Sequence, residues 1–291
     1  MNRSIDVLTQ VYKPYRITRI NKCILFNTMD GDYVVKTEPK INYLDLYNYL
    51  YTRGFKYLPK LVDSSRDNTI VFEYQSDASI DNNQKGLDLI KLVALLHSKT
   101  SYFKEITKDR YKEIYENLKN NVQFIDNYYG EMFDRFISEE YYMPSHYLFL
   151  RNYSLIYNAC KYCLAKIDEW YNKVSDKTKE RVVLVHNNLR LDHYIKNEND
   201  YLISWDNYTI DSPIVDLYKF YQNEWYNLSF SDLFKEYNDD FELLEEEKIL
   251  LDILISIPTK VELSSDMLRD CREIRKLIGY LNKSSKLVLS S

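Results

Sequence analysis

The sequence predicts an α+β protein made of two unequal lobes. Short alternating or apolar runs separated by turn residues fill residues 1–75, a polar stretch follows over residues 76–86, and apolar residues at helical spacing dominate residues 87–291. We therefore expect a small lobe with a five-stranded antiparallel sheet and one helix, a hinge, and a larger, mainly helical lobe.

The small lobe contains strand patterns on both sides of one helical pattern. Gly31 lies in a turn between two strands, and apolar residues recur at helical spacing from Tyr43 to Leu50. Gly54 lies where this helix should end. This pattern predicts the order β-β-β-α-β-β. The predicted strands are Tyr15–Ile20, Cys23–Asn27, Tyr33–Lys36, Leu58–Val62 and Thr69–Tyr74.

The second lobe is mostly helical, with one short insert that reads as strands. Residues 76–86 are small and polar, which is typical of a linker. Residues 184–206 alternate between apolar strand patterns and polar loops, and they contain most of the candidate site residues. The predicted helices are Leu87–Lys99, Tyr111–Tyr129, Glu131–Phe136, Tyr153–Val174, Ile214–Trp225, Leu243–Ile257 and Ser265–Leu281.

Composition argues against several classes of protein. The net charge is −5, with acidic and basic residues interspersed, so we expect no nucleic-acid partner. No apolar run approaches the roughly 18–20 residues that span a bilayer, and the first residues lack the apolar core of a signal peptide. We expect a cytoplasmic protein without a membrane partner. Four cysteines make a disulfide framework improbable in that compartment.

Lys36 is the first candidate binding residue because it ends a predicted strand. From that position an ammonium group would face the space between the lobes and attract phosphate oxygens. Asp45, on the following helix, and Glu38, in the following turn, are both candidate partners for Lys36. The sequence does not decide between these pairings and a solvated lysine.

A second group of candidates surrounds the insert at residues 184–206. His186 and Asn188 follow a buried strand pattern, where site residues are often found. Asp192 and His193 precede a predicted hairpin, and Ser204 and Asp206 follow it. Because Ser204 and Asp206 are two residues apart, they would share one face of an extended strand. Surface positions remain open for both aspartates.

The segment at residues 211–217 reads as a helix start. Asp211 or Ser212 is suited to the N-cap, Pro213 to the first turn, and Asp216 lies within that turn. A functional role for Asp216 would come through support of the loop. Cys160 and Cys163 have a CxxC spacing but lie inside a helix, so we expect packed thiols.

The order of these features resembles the aminoglycoside phosphotransferase and choline kinase superfamily, which has a bilobal protein-kinase-like fold. The resemblance covers nearly the whole chain and is most specific over residues 184–220. Within that superfamily, the sequence most resembles bacterial spore-coat kinase-like proteins. It is carried by Lys36, the Ala94–Ser98 helix, the loop that begins at His186, the Ile203–Asp206 segment and the Asp211–Tyr218 helix start.

The resemblance implies roles that the residues of this chain fulfil only in part. The family's catalytic loop is H-x-D-x-x-x-x-N, but Asn188 stands at the base position and His193 at the metal-ligand asparagine. The next family motif holds magnesium with an aspartate, where this chain has Ser204. His186 and Asp216 match the family's loop framework. Asp192 and Asp206 are possible substitute ligands.

We therefore predict a pseudokinase that acts by binding or scaffolding a protein partner or a small molecule. An amide accepts no proton, and magnesium prefers anionic oxygens, so magnesium binding is doubtful. ATP binding remains possible through Lys36 and the hinge residues Glu73 and Gln75. One alternative is an ATP-dependent small-molecule kinase that uses Asp192 and Asp206. A second alternative is a structural coat-type protein, which the 29 tyrosines would suit.

Overall fold

The small lobe is built on a five-stranded antiparallel sheet with the order β1-β2-β3-β5-β4. The computed structural model describes residues 3–66, 68–107, 109–264 and 266–289, and the predicted helix start at Ser265 lies outside them. This sheet confirms the predicted strand number and direction. The strands are β1 (Arg16–Ile20), β2 (Cys23–Thr28), β3 (Gly31–Thr37), β4 (Leu61–Arg66) and β5 (Thr69–Glu73).

The predicted helix of this lobe is α2 (Tyr43–Thr52), and local signals set both of its ends. The side chain of Asn42 accepts a hydrogen bond from the N–H of Leu44 at 3.1 Å and so caps the start. Gly54 has a φ of +81°, and the N–H of Phe55 donates to the carbonyl of Leu50 at 2.9 Å. This is a Schellman ending, for which glycine is the favoured residue.

The small lobe also contains an additional helix, α1 (Arg3–Tyr12), so the expectation of a single helix there is incomplete. Leu8 is fully buried and packs with Phe26, Val35 and Val71, whereas Val11 on the same helix is exposed. Ile5 and Tyr12 pack against the same cluster, so apolar residues recur at helical spacing along α1. The predicted elements begin only at Tyr15, and the prediction therefore misses a helix whose pattern the sequence does contain.

α3 (Asn82–Thr100) begins five residues before the predicted helix start at Leu87. The carboxylate of Asp81 accepts a hydrogen bond from the N–H of Asn83 at 2.8 Å and caps the helix. Gly86 then lies close to a loop of the large lobe: a Cβ there would be 3.2 Å from a methyl carbon of Leu228. The first turns of α3 therefore pack against the large lobe and belong to it.

Seven helices form most of the large lobe, as far as the structure describes it. α4 and α5 are the longest, and α4 runs unbroken through Gly130, where the sequence pattern predicts two helices. α7 is absent from the sequence-based prediction. The helices are α3, α4 (Asp109–Ile137), α5 (Pro144–Val174), α6 (Ile214–Glu224), α7 (Phe230–Asp240), α8 (Glu245–Ser256) and α9 (Met267–Leu289).

A three-stranded sheet with the order β10-β7-β6 crosses the large lobe and positions the loop that follows its central strand. Residues 182–185 of β7 are buried, which fits a strand that is covered on both faces. The strands are β6 (Tyr102–Glu105), β7 (Lys179–Val185) and β10 (Thr209–Asp211), and a hairpin adds β8 (Tyr194–Lys196) and β9 (Asp200–Leu202). No helix in the described ranges is long and apolar enough to span a bilayer.

Candidate functional site

The site begins at His186, the first residue after β7, and its side chain is completely buried. Its Nε2–H donates to the carbonyl of Ile203 at 2.7 Å, and its ring contacts Trp205 edge-on, with the ring centroids 4.9 Å apart. Burial lowers the pKa of His186 to about 4, so the imidazole is neutral at pH 7. His186 thus joins the loop after β7 to the segment at residues 203–206.

Asp216 fixes the backbone of the same loop from α6. Its carboxylate is fully buried and accepts hydrogen bonds from the N–H groups of His186 at 2.7 Å and Asn187 at 2.6 Å. His97 donates to it through Nε2 at 3.1 Å and accepts from the hydroxyl of Tyr237 at 2.7 Å. Burial raises the pKa of Tyr237, which keeps this hydroxyl protonated as the donor.

α6 supports the loop at further points. The amide of Asn223 donates to the carbonyl of Leu189 at 2.9 Å, and the buried carboxylate of Glu224 accepts from the N–H of Leu191 at 3.2 Å. Lys219 reaches the side-chain oxygen of Asn187 at 2.5 Å. The sequence pattern identifies α6 but not these three contacts, because the polar side chains that make them read as ordinary residues of a helix.

Asn188 is the residue that the sequence resemblance places at the position of the carboxylate base. Its backbone carbonyl accepts a hydrogen bond from Nδ1 of His193 at 2.7 Å. The side chain of Asn188 is half-buried and neutral, and an amide has no basic lone pair with which to accept a proton near pH 7. The imidazole of His193 is directed back onto the loop by the same hydrogen bond.

Asp206 lies in the large lobe, after the β8–β9 hairpin, and its side chain contacts the small lobe. Ser204, two residues earlier, has a left-handed backbone with a φ of +68°, and the 3₁₀ turn Trp205–Asn207 follows it. The carboxylate of Asp206 forms an ion pair with Lys36 of β3. It also accepts a hydrogen bond from the hydroxyl of Tyr43 at 3.0 Å. Ser204 and Asp206 therefore do not share a strand face as the sequence predicts, because the turn replaces the strand there.

Tyr43 is the partner of Lys36 that sequence reasoning misses. The ammonium group of Lys36 donates to the Tyr43 hydroxyl at 2.9 Å and lies 5.2 Å from the centre of its ring. Burial, together with the Asp206 carboxylate, raises the pKa of Tyr43, so the hydroxyl stays protonated and donates to Asp206. Asp45 does not take this place, since its carboxylate accepts from the side chain of Asn42 at 2.7 Å.

Cys23 completes the small-lobe side of the site. It pairs with Lys36 across the β2–β3 ladder, and its thiol is half-buried. Burial raises the pKa of Cys23, while the nearby Lys36 opposes that shift. The thiol is therefore protonated at neutral pH and offers neither a nucleophile nor a ligand for a hard metal ion.

Asp192 lies outside this group of contacts. Its side chain is 66% exposed and accepts a hydrogen bond from Arg190 at 3.1 Å. The two aspartates considered as substitute ligands are thus separated by their partners: Asp206 contacts Lys36, and Asp192 contacts Arg190. Asp211 accepts from the N–H of Ser212 at 2.8 Å at the end of β10.

The hinge residues Glu73 and Gln75 lie where the small lobe ends. The N–H of Glu73 donates to the carbonyl of Lys60 at 2.9 Å, and its side chain is exposed, whereas Gln75 is half-buried. Because the Glu73 N–H already has an acceptor, it is not available to an adenine base in this conformation. Of the residues predicted to contact a nucleotide, Lys36 is therefore the one whose side chain faces the opposite lobe.

The residues at the site do not fit a magnesium centre. Magnesium requires near-octahedral oxygen coordination and is usually bound through one or two carboxylates and substrate phosphates. In the described ranges no group of three or more His, Cys, Asp and Glu side chains is arranged to hold a metal ion. The carboxylate of Asp206 is paired with Lys36, Ser204 is a neutral hydroxyl, and His193 is engaged with the loop.

Comparison with solved structures identifies the fold. An aminoglycoside phosphotransferase from Alicyclobacillus acidocaldarius aligns with a TM-score of 0.68 at 10% identity, covering 95% of this chain and 91% of that one. The AMP-bound complex of a spectinomycin phosphotransferase aligns with a TM-score of 0.56 at 12% identity, covering 97% and 98%. A choline kinase from Streptococcus pneumoniae has a TM-score of 0.47 at 16% identity, with 98% and 99% covered.

These likenesses show the fold that the sequence predicts, a bilobal kinase-like phosphotransferase fold. No protein-family model matches the sequence, and no curated protein matches it either. The likeness of fold is thus found at identities of 10% and 12%.

Proposed function

We propose that this chain is a pseudokinase: it keeps the kinase-like phosphotransferase fold, transfers no phosphate, and acts by binding a protein partner or a small molecule. The observation that carries this proposal is the contact between Lys36 and Asp206. The carboxylate of Asp206 already pairs with the lysine, and Asn188 stands where a base is needed. Phosphoryl transfer depends on positioning and on neutralisation of phosphate charge, and both are weakened here.

The composition of the loop supports the same proposal. Asp216, His97 and His186 hold the backbone after β7 in a defined shape through buried hydrogen bonds. Such a scaffold without its reactive groups suits recognition better than catalysis. Residual nucleotide binding belongs to this proposal, because Lys36 remains a cation that faces the opposite lobe and would attract phosphate oxygens if Asp206 released it.

A thermal-shift titration with ATP, with and without magnesium, tests the proposal. A ligand that binds only the folded state raises the melting temperature as its concentration exceeds its dissociation constant. We expect a small shift at millimolar ATP that magnesium does not increase and that Lys36→Ala abolishes. Lys104→Ala, an exposed strand lysine on β6, is the matched control and should leave the shift unchanged.

The variant Asp206→Asn sharpens this test. If Asp206 competes with phosphate for Lys36, removal of its charge should enlarge the ATP shift in the absence of magnesium. A shift in the wild type that requires magnesium and is lost in Asp206→Asn would contradict the proposal, since the carboxylate would then be acting as a metal ligand.

The second candidate function is an active small-molecule kinase with a relocated metal ligand. The observation that favours this second function is the position of Asp206, which follows Ser204 by two residues and forms an ion pair with Lys36. Asp192 contributes little to this candidate because it is exposed and bound to Arg190. The magnesium dependence of the ATP shift therefore separates the two functions.

A further inference from the structure

β1 is an edge strand of the small-lobe sheet, since β2 is its only neighbour among the described strands. It pairs with β2 in unbroken antiparallel register, from Arg16 opposite Asn27 to Ile20 opposite Cys23. In such a ladder, alternate residues direct their N–H and C=O groups away from the partner strand. The outer side of β1 is therefore a regular row of backbone donors and acceptors to which another strand can bind.

The opposite edge of the same sheet is irregular. β4 pairs with β5 through two register shifts, one between Leu61 and Asp63 and one between Asp63 and Arg66. Bulges of this kind interrupt the row of backbone groups, and they commonly protect a sheet edge against pairing with another chain. One edge of the sheet is thus interrupted and the other is regular, so β1 is the edge at which a further strand fits.

The apolar side chains at this edge are exposed to solvent. Tyr15 is 69% exposed, Ile17 is 49% exposed and Ile20 is 44% exposed. Because Ile17 and Ile20 are three residues apart on a strand, their side chains lie on opposite faces of the sheet. A strand that is added beside β1 therefore covers apolar surface on both faces, in addition to forming backbone hydrogen bonds.

The charge along this edge is unbalanced. Residues 7–29 contain no aspartate or glutamate, although the whole chain has a net charge of −5. Four exposed cations lie in or beside β1: Lys13, Arg16, Arg19 and Lys22. None of them forms an ion pair with a residue that the structure describes. The edge is therefore a local basic surface whose charge the described part of the chain does not neutralise.

These charges decide which kind of strand fits. If two copies of the chain paired through β1, the cations of one copy would lie close to those of the other, and like charges opposite each other destabilise a sheet. A strand that carries carboxylates is attracted instead. A nucleic acid or an anionic membrane would also attract the cations, but neither offers the backbone groups that match the free edge.

We infer that β1 binds an extended acidic segment of a protein partner, which joins the small-lobe sheet as an additional strand. Backbone hydrogen bonds to β1 position the segment, its carboxylates lie beside Arg16 and Arg19, and its apolar side chains cover Ile17 and Ile20. β2 separates β1 from β3, which carries Lys36. The inference thus goes beyond the proposed function, because it concerns a different surface from the contact of Lys36 with Asp206.

The probe is a short peptide of alternating glutamate and valine with fluorescein at its N-terminus, and its fluorescence anisotropy measures binding to the whole chain. A peptide of alternating lysine and valine reverses the charge. A peptide of alternating glutamate and proline keeps the charge but lacks half of the backbone donors and cannot extend a sheet. Phosphatidylserine vesicles and a single-stranded oligonucleotide, tested as competitors, represent the membrane and the nucleic acid.

We expect the glutamate–valine peptide to bind saturably and more weakly as salt is added, and the other two peptides to bind at least tenfold more weakly. The same peptide should slow amide hydrogen exchange at about half of residues 16–20, because only alternate N–H groups of β1 face the free edge. Attraction by charge alone would not slow this exchange. The combined substitution Arg16→Gln and Arg19→Gln should weaken binding about three- to tenfold, through the loss of two cross-strand charge pairs.

The combined substitution Lys56→Gln and Lys60→Gln is the matched control. Both lysines are exposed and lie just before β4, at the opposite edge of the sheet, so this variant loses the same charge and should bind the peptide like the wild type. Equal weakening by the two double variants would show attraction by net charge and would overturn the inference.

The inference is also overturned if the glutamate–valine peptide does not bind saturably, if the glutamate–proline peptide binds as tightly, or if hydrogen exchange in β1 does not change. Vesicles or an oligonucleotide that bind more tightly than the peptide would assign the cations to a membrane or a nucleic acid. A wild-type dimer that protects β1 without peptide would assign the edge to a second copy. Either result overturns the proposed partner, and neither affects the ATP titration that tests the proposed function.

Discussion

Asp216 shows how one side chain can fix a loop. Its carboxylate accepts two backbone N–H groups and His97 in an environment without exposed surface. A carboxylate suits this position because it offers several lone pairs on two oxygens, whereas an asparagine offers one oxygen and two unwanted donors. The sequence predicts a supporting role for Asp216, and the geometry names the groups that it supports.

Asp216→Ala should lower the free energy of unfolding by about 3–5 kcal/mol, because three buried donors lose their acceptor at once. Urea unfolding followed by circular dichroism measures the change. Asp192→Ala removes the same group from an exposed position and should stay within about 0.5 kcal/mol of the wild type. Equal effects of the two substitutions would show that Asp216 does not hold the loop.

His186 should make stability depend on pH in a defined direction. Its pKa is lowered from 6.5 to about 4 by burial, so between these values the unfolded chain binds a proton that the folded chain excludes. Stability from this group is therefore lost as pH falls from 6.5 to 4, by on the order of 3 kcal/mol. Imidazole resonances followed by NMR should include one that titrates near 4 and is absent in His186→Gln. Titration of that resonance near 6.5 would contradict the burial argument.

At the scale of elements, α2 is where the sequence and the structure agree best. Apolar spacing, the Asn42 cap and Gly54 all act over a few residues, so they can be recognised without knowledge of the fold. The start of α3 is predicted five residues late because the apolar pattern begins at Leu87, whereas Asp81 caps the helix earlier. The contact of Lys36 with Tyr43 depends on packing between separate segments, which no local pattern records.

Two glycine substitutions should have opposite effects on stability. Gly54 has a φ of +81° at the end of α2, so Gly54→Ala should cost about 1 kcal/mol through the left-handed backbone. Gly130 lies inside α4, where a Cβ would meet the Tyr153 hydroxyl at an ordinary 3.8 Å. Gly130→Ala should therefore stabilise the chain by up to about 1 kcal/mol. Chemical denaturation measures the free energy of unfolding of both variants. If both substitutions changed it in the same direction, the left-handed backbone at Gly54 or the helical backbone at Gly130 would be contradicted.

For the whole molecule, the order of elements is the informative feature of the sequence. The small sheet, the hinge, the loop after β7 and the helix that carries Asp216 follow in an order that predicts the kinase-like fold. The arrangement of the site is less predictable, because Lys36, Tyr43 and Asp206 meet across separations of 7 to 170 residues. The sequence identifies Lys36 and Asp206 as candidates, but their pairing depends on how the two lobes pack, which the sequence pattern does not give.

The pairing of Lys36 with Asp206 underlies the proposal that this site binds without transferring phosphate. Magnesium-dependent release of phosphate from γ-labelled ATP tests it most directly, with the wild type, Lys36→Ala and Asp206→Asn assayed together. We predict a wild-type rate equal to that of both variants and to the rate without magnesium. A wild-type rate that requires magnesium and falls to background in Lys36→Ala would contradict it.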